Sequence, residues 1–374
     1  MNLNKYTTFL DSLLNEGIPS FDCYIFKNHE QIYHHMGGFT DGERTKKIDG
    51  TELYLVYSMT KVITMTAVLQ LVENGIISLD DPVYKFLPKY QYLMVEKEGI
   101  VVPAKNELKI KHLLSMQSGL DYNLERAGII RVLREKGMQA STQEIVEAFI
   151  ETPLMFEPGE HFEYSLSHDV VAAIVEVASG MKYSEYLKKN ILDPIGMKHT
   201  SFAKPMNHDE CLATQFIYDD NTHTSTPMEP SCVYQFSNHY ESGGAGLMSC
   251  AIDYAKFADT IASGGVTVDG KHILKPETID IMRTNLLGNE QLKDLEGKMN
   301  RIGYGYGCGV QVLLDPKRAD SIAPEGIFSW DGAAGSAIIM DPVNKLSIVY
   351  IQHVRNCGYS YGHIHPRLRD MLYE

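Results

Sequence analysis

Ser58-Met59-Thr60-Lys61 sets a hydroxyl and a primary amine three residues apart, at the head of a strongly apolar stretch that runs to Asn74-Gly75. Residues three apart share one face of a helix, so the lysine nitrogen can reach the serine oxygen and take its proton. A serine beside a base is a nucleophile, and its chemistry is acyl transfer. The run Met59, Val62, Ile63, Met65, Ala67, Val68, Leu69, Leu71 and Val72 is apolar nearly all round, which predicts a central buried helix. Burial disfavours the ammonium form of Lys61, and the positive end of the helix favours a serine alkoxide. A serine at a helix start also serves as a plain N-cap, so other members of a site must be sought elsewhere in the chain.

Two further segments offer candidates. Tyr164 lies in Phe162-Glu163-Tyr164-Ser165-Leu166, just before Ser167-His168-Asp169 and a helical run ending in Ala178-Ser179-Gly180, and its phenol is a candidate second base. His168-Asp169 reads as a helix start in preference to a pair that tunes the site. Far downstream, Phe328-Ser329-Trp330-Asp331-Gly332-Ala333-Ala334-Gly335 sets glycines directly before a strand, where the backbone must pass close to something. Trp330 is the only tryptophan.

The elements that position these residues follow from periodicity. Residues 21 to 36 alternate around Lys27-Asn28-His29-Glu30 and predict a β-hairpin, and Ser336–Met340 with Leu346–Ile351 predict a second one. Between the ends the spacing is mostly helical: the Ser58 helix, Ile110 to Met116, Ser141 to Ile150, Val170 to Ser179, Tyr183 to Leu192 and Ile252 to Ala262. Strands at the ends and helices in the middle predict an α/β sheet lobe with a helical insertion. The expectation is one domain over 1–374, with an α/β lobe from 1–85 and 240–374 and a helical lobe from 86–239. Residues 204 to 240, rich in Asn, Asp, Thr, Ser and Pro, read as an irregular or substrate-facing connection.

Composition narrows the partners. Lys and Arg number 34 against 48 Asp and Glu, a formal charge of −14, with no basic cluster to follow a phosphate backbone. Nucleic acid and an anionic membrane surface are therefore not expected, and a small uncharged molecule is the natural substrate. The N-terminal residues show no signal-peptide pattern, so secretion is not expected, and no run of 18 apolar residues occurs in the sequence. Six cysteines without a C-x-x-C pair (Cys23, Cys211, Cys232, Cys250, Cys308, Cys357) read as free thiols, which places the protein in the cytoplasm. Gly37-Gly38 and Gly243-Gly244-Ala245-Gly246 match no phosphate loop and read as turns. His34-His35 and His363-Ile364-His365 lack the carboxylate partners of a metal site, so no metal is expected.

Taken together, Ser58-x-x-Lys61, Tyr164-Ser165 and Trp330-x-Gly332 resemble the serine β-lactamase and penicillin-recognising superfamily, and within it the class C β-lactamases and family VIII carboxylesterases. Leu113-Leu114-Ser115-Met116-Gln117-Ser118-Gly119-Leu120 is similar to the family's Leu-Leu-x-x-x-Ser-Gly-Leu segment. Gly243–Ser249, the helix through Asp253 and Phe257, and Gly303–Gly307 fall in the family's order, so the resemblance spans nearly the whole chain. It implies a β-lactamase/transpeptidase-like fold of α/β (α+β) class, an antiparallel sheet flanked by helices plus a mostly helical lobe. It implies Ser58 as nucleophile, Lys61 as its basic partner, and Tyr164 as the phenol that moves a proton. The oxyanion hole would be the backbone N–H groups of Ser58 and Ala333, and the substrate-binding residues would be Gln117, Leu166, Trp330, Asp331 and Gly332. No cofactor is implied.

Two departures shape the expected chemistry. Leu166 stands where the family's Tyr-x-Asn has asparagine, and leucine cannot hydrogen-bond an acylamide. Trp330-Asp331-Gly332 stands where Lys-Thr-Gly or His-Thr-Gly is usual, which exchanges a cation for a neutral aromatic, and Trp-x-Gly is typical of the esterase branch. A small carboxylic ester, which needs little beyond an apolar wall, is the expected substrate, cleaved through an acyl-enzyme. β-Lactamase, D-amino acid amidase or peptidase, and acyltransferase activities share the same intermediate. A catalytically silent binding or scaffold protein of this fold is the alternative from another class.

Overall fold

Both ends of the chain enter one antiparallel sheet. In the computed structural model, which describes residues 1–202, 212–229 and 233–374, the N-terminal hairpin is β1 (Ser20–Lys27) and β2 (Glu30–Gly38). It turns at Asn28 and His29, both at positive φ as tight hairpins require. Five strands from the other end complete the sheet: β3 (Tyr304–Tyr306), β4 (Gln311–Leu313), β5 (Phe328–Asp331), β6 (Ala337–Asp341) and β7 (Leu346–Ile351). Their order is β3-β4-β5-β6-β7-β1-β2, with Cys23 of β1 opposite Tyr350 of β7.

Side chains alternate across the pleat, and here both faces are covered. Phe21, Cys23, Ile25, Ile339, Ile348 and Tyr350 join an outer core with residues of α1 (Leu3–Leu13) and, at the far end of the chain, Leu368 and Met371. Tyr24, Phe328, Trp330, Ile338, Met340 and Val349 face the larger inner core. That core is centred on α2 (Thr60–Glu73), whose apolar side chains are buried on nearly every face, and includes α3 (Ser167–Ser179) and α4 (Ala251–Ala262). A final helix, α5 (His365–Met371), closes the outer layer.

A small second sheet sets up the functional region. Tyr54–Leu55 pairs with Leu247–Ser249, which pairs in turn with Ser201–Phe202. The approach to Ser58 is thereby tied to the glycine-rich stretch that ends at Leu247.

Several expectations need correction. The segment from 204 to 240 is not simply irregular: Gln215–Asp219 and Thr224–Met228 form an antiparallel hairpin, and Val354–Arg355 adds in parallel. Its polar composition reflects a second strand that is mostly exposed. Residues 203–211 and 230–232, with Cys211 and Cys232, lie outside the described residues. The other four cysteines are buried and free. Helices Leu3–Leu13, Ala127–Lys136, Pro276–Met282 and Asn289–Met299 add to those expected from spacing. Among the described residues no helix is long and apolar enough to cross a membrane.

Candidate active site

Ser58 occupies a single tight turn, Tyr57–Met59, that runs into α2. Tyr57 has φ +45°, a conformation that costs a bulky residue on the order of 1–3 kcal/mol and persists only where the surroundings hold it. The holding groups are present. Gln215 Nε2 donates to the Tyr57 hydroxyl at 2.6 Å, Val56 N–H donates to the Leu247 carbonyl at 3.1 Å, and the Tyr254 hydroxyl donates to the Met59 carbonyl. Ser58 itself is half-buried between fully buried neighbours. It is the point where the chain opens toward solvent.

Lys61 is fully buried in the first turn of α2. Its Nζ donates to the Gly244 carbonyl at 2.7 Å, to Ser58 Oγ at 3.2 Å and to the Tyr122 hydroxyl at 3.4 Å. Burial pulls its pKa down to about 7, and Asp169, then Asp331, oppose that pull. A lysine near 7 has a large neutral fraction at neutral pH, and a neutral amine can accept the Ser58 proton along the bond already in place.

Tyr164 stands over the same pair, its ring 4.7 Å from Lys61 Nζ. Burial raises its pKa well above the ordinary phenol range, while contacts with Ser58 and Trp330 pull it partly back. It is a phenol at rest, able to give a proton. A phenolate is not what this environment favours, because burial acts more strongly than the hydrogen bonds. Tyr122 stacks on Tyr164 with ring centroids 5.5 Å apart, and Tyr234 closes edge-on against Tyr122 at 5.6 Å. The result is an aromatic wall around the serine.

Asp169 sits, as expected, in the first turn of α3, but it caps nothing: Leu166 is the N-cap, without a side-chain bond. Its Oδ1 accepts from the Tyr240 hydroxyl at 2.7 Å. The reading of Asp169 as a mere helix start is therefore corrected, and it joins the surroundings of Lys61. The glycine-rich stretch explains why. A Cβ on Gly244 would lie 2.7 Å from Asp169 Oδ2 and 3.4 Å from Lys61 Nζ, so only glycine passes between them. His168 is buried, and burial with the nearby Lys61 pushes its pKa far below the ordinary value, which leaves it neutral against the Leu114 carbonyl.

The strand β5 brings the last arm. Gly332 lies so close to the nucleophile turn that an added Cβ would fall 2.5 Å from the Val56 carbonyl oxygen. The next residue, Ala333, is half-buried. Among the described hydrogen bonds, neither the Ser58 nor the Ala333 N–H has an acceptor, and two unspent donors at this junction are what an oxyanion needs. Trp330 is 1% exposed and packs on Tyr164 at 5.6 Å and on Tyr306 at 5.1 Å. Its indole N–H is buried without a hydrogen-bond partner among the described residues. Asp331 is ion-paired with Arg301 at 2.5 Å, so its charge is neutralised rather than turned on a substrate.

Two expected substrate contacts are buried and already engaged. Gln117 is buried, and its amide donates to Ser115 Oγ at 2.6 Å and to the Leu286 carbonyl at 3.3 Å. Leu166 is a core residue whose N–H donates to the Asp121 carbonyl. Conversely, Tyr122, Gly244 and Arg301 escaped the sequence reading. Tyr122 follows Gly119-Leu120 with no spacing signal of its own, and Gly244 was visible only as a turn.

The chain is similar to known proteins over nearly its whole length. Residues 8–356 match the family model described as Beta-lactamase. Protein Rv1367c of Mycobacterium tuberculosis is 30% identical over 366 residues, covering 94% of this chain and 90% of that protein. Esterase EstB of Burkholderia gladioli is 28% identical over 370 residues, covering 93% and 89%. The solved structure of EstCE1, described as a hydrolase with promiscuous acyltransferase activity, superposes with a TM-score of 0.80 at 23% identity over 99% of this chain and 98% of its own.

Proposed function

The chain belongs to the beta-lactamase family and is a serine hydrolase; within that class we propose that it is an esterase, cleaving small carboxylic esters through an acyl-enzyme on Ser58. One observation carries the reading: a buried Lys61 amine with a pKa of about 7 bonded to Ser58 Oγ at 3.2 Å. In its neutral form Lys61 accepts the Ser58 proton as Oγ adds to the ester carbonyl. The charge that develops on the carbonyl oxygen meets the N–H groups of Ser58 and Ala333. The C–O bond to the leaving group then breaks, and the departing alkoxide takes a proton from Tyr164, which recovers it from Lys61. Water attacks the acyl-enzyme by the reverse relay and releases the acid.

The preference for esters over lactams is supported by what faces the nucleophile. Leu166 lies in the core, Trp330 is neutral, and Asp331 is already paired with Arg301. No free cation on that strand waits for a substrate carboxylate. Esterase EstB, 28% identical, supports the same choice. The aromatic wall of Tyr122, Tyr164 and Tyr234 favours a second reading in which an alcohol replaces water as acyl acceptor, as the description of EstCE1 also suggests. Four buried free thiols fit a reducing, cytoplasmic setting.

The test compares p-nitrophenyl acetate and butyrate with a chromogenic cephalosporin, for wild type and Ser58→Ala. Ester turnover that vanishes in Ser58→Ala, with stoichiometric labelling of Ser58 by a fluorophosphonate, is the expected result. Efficient cephalosporin turnover would replace the esterase reading with a β-lactamase. Absence of labelling would leave a silent scaffold.

A further inference from the structure

Where the chain leaves β7, three consecutive residues reach both halves of the proposed oxyanion hole. His353 Nε2 accepts from the Leu55 N–H at 3.3 Å, three residues before Ser58. The Val354 N–H donates to the Ala334 carbonyl at 2.9 Å, one residue beyond Ala333. The Arg355 guanidinium lies over the ring of Tyr57, the residue before Ser58, 5.6 Å from its centroid. β7 ends at Ile351, and the intervening Gln352 is itself held, its carbonyl accepting from Ser336 Oγ at 2.9 Å. One short segment, pinned to the sheet, therefore touches the nucleophile turn on one side and the turn that carries Ala333 on the other.

The bonds of His353 all have a direction. It is buried, and burial pushes its pKa down to about 4, so the ring is neutral at neutral pH. Nδ1 lies 3.0 Å from the Ala213 carbonyl, which can only accept, so Nδ1 carries the proton and Nε2 is left as an acceptor. That acceptor receives two donors, the Leu55 N–H and, at 3.1 Å, Gln215 Nε2. The same Gln215 nitrogen also donates to the Tyr57 hydroxyl at 2.6 Å. Turning the amide over would set its oxygen against the lone pair on Nε2. The amide keeps the orientation that serves Tyr57 even though its Oε1 is buried without a partner among the described residues. Buried polar atoms are normally satisfied, so this glutamine is held for its donors and not for its oxygen. A histidine that only filled the core would need one partner for each nitrogen. Here Nε2 directs both its bonds to the approach to Ser58, where Tyr57 is kept at a positive φ.

Resting on the acyl-enzyme reading, we propose that His353 is a positioning residue for the oxyanion hole: through Leu55 and Gln215 it fixes the Ser58 N–H relative to the Ala333 N–H, and it touches no substrate. The two donors belong to segments far apart in the sequence, and an oxyanion needs them at a fixed spacing. The segment 353–355 supplies that spacing because it is bonded to both.

The test replaces His353 by two amides of different reach. Glutamine sets its terminal oxygen close to the place of Nε2 and keeps the acceptor, whereas asparagine reaches only as far as Nδ1 and loses it. With p-nitrophenyl butyrate, His353→Asn is expected to lower kcat by about tenfold or more with KM within about twofold of wild type, because a displaced oxyanion donor weakens the transition state and spares ground-state binding. His353→Gln should recover most of the rate. Gln215→Met removes the link to Tyr57 and should cost a similar factor, and combining it with His353→Asn should add little. Circular dichroism shows which variants are folded, and if His353→Asn does not fold, Gln215→Met carries the test. A folded His353→Asn or Gln215→Met with wild-type kcat, a KM that rises while kcat holds, or a His353→Gln as slow as His353→Asn overturns the proposal. The rate of Ser58 labelling by a fluorophosphonate separates it from the reading it rests on. Slower labelling in His353→Asn upholds the positioning role even if wild type cleaves no ester. Equal labelling overturns it even if esters are cleaved, and a wild type that takes no label at Ser58 removes both.

Discussion

Asp169 and Lys61 stand on either side of Gly244, so close that one methyl group on that glycine would crowd the carboxylate and touch the amine. The carboxylate favours the ammonium form and burial favours the free amine, and the balance falls near 7. Lys61 acts as a base above that value, so kcat/KM for p-nitrophenyl butyrate should rise as pH passes through about 7. Asp169→Asn removes the influence that raises the pKa. The acid limb should therefore move to lower pH, by roughly half a unit to one unit. A pH–rate profile checks this, and a limb that stays in place would dissociate Asp169 from Lys61.

Gly332→Ala should disable the site without abolishing the fold. The added carbon would meet the Val56 carbonyl at 2.5 Å, contact that the backbone must relieve by shifting. Overpacking of this kind costs about 1–3 kcal/mol of stability. The same shift moves the Ala333 N–H off the oxyanion, where about 1 Å of displacement costs on the order of 100-fold in rate. A thermal melt read beside kcat shows whether the rate loss exceeds the stability loss, as expected.

Trp330→Phe keeps a buried ring against Tyr164 and removes an indole N–H that is buried without a partner. With no hydrogen bond to lose, kcat should fall by only about two- to fivefold, the effect of a smaller ring packed on Tyr164. KM should change little. A variant that raises KM and spares kcat would make Trp330 a substrate contact instead.

Tyr122→Phe deletes a long 3.4 Å bond to Lys61 while preserving the stack on Tyr164. Its effect should be mild, roughly two- to fivefold in kcat. Tyr122→Ala removes the wall as well and should cost far more. Single-turnover acylation rates distinguish the two roles.

Much of this was legible in the residues because it depends on local pattern. The Ser58-x-x-Lys61 spacing names its own helix face, and alternation around Asn28-His29 and between 336 and 351 names two hairpins. What escaped reading depends on contacts between distant segments. Tyr122 reaches Lys61 through a loop, and Gly244 is a glycine because Asp169 and Lys61 flank it, not because a turn demands it. The pairing of Asp331 with Arg301 was hidden because the arginine lies 30 residues away with no motif to announce it. Gln117 and Leu166 were drawn toward the site by family order, whereas their own surroundings hold them in the interior.

The strand order also sets a timetable. β1 is made more than 300 residues before β7, one of its two neighbours in the sheet. Ser58 is translated early and the Ala333 N–H late. In the proposed mechanism, a chain under synthesis holds Ser58 before it holds the Ala333 N–H of its anion hole. Only when translation has passed residue 351 can β1 and β7 pair and the sheet carry Ala333 to Ser58. In the proposed mechanism, ester cleavage therefore waits for the strands that carry residue 333 into the sheet.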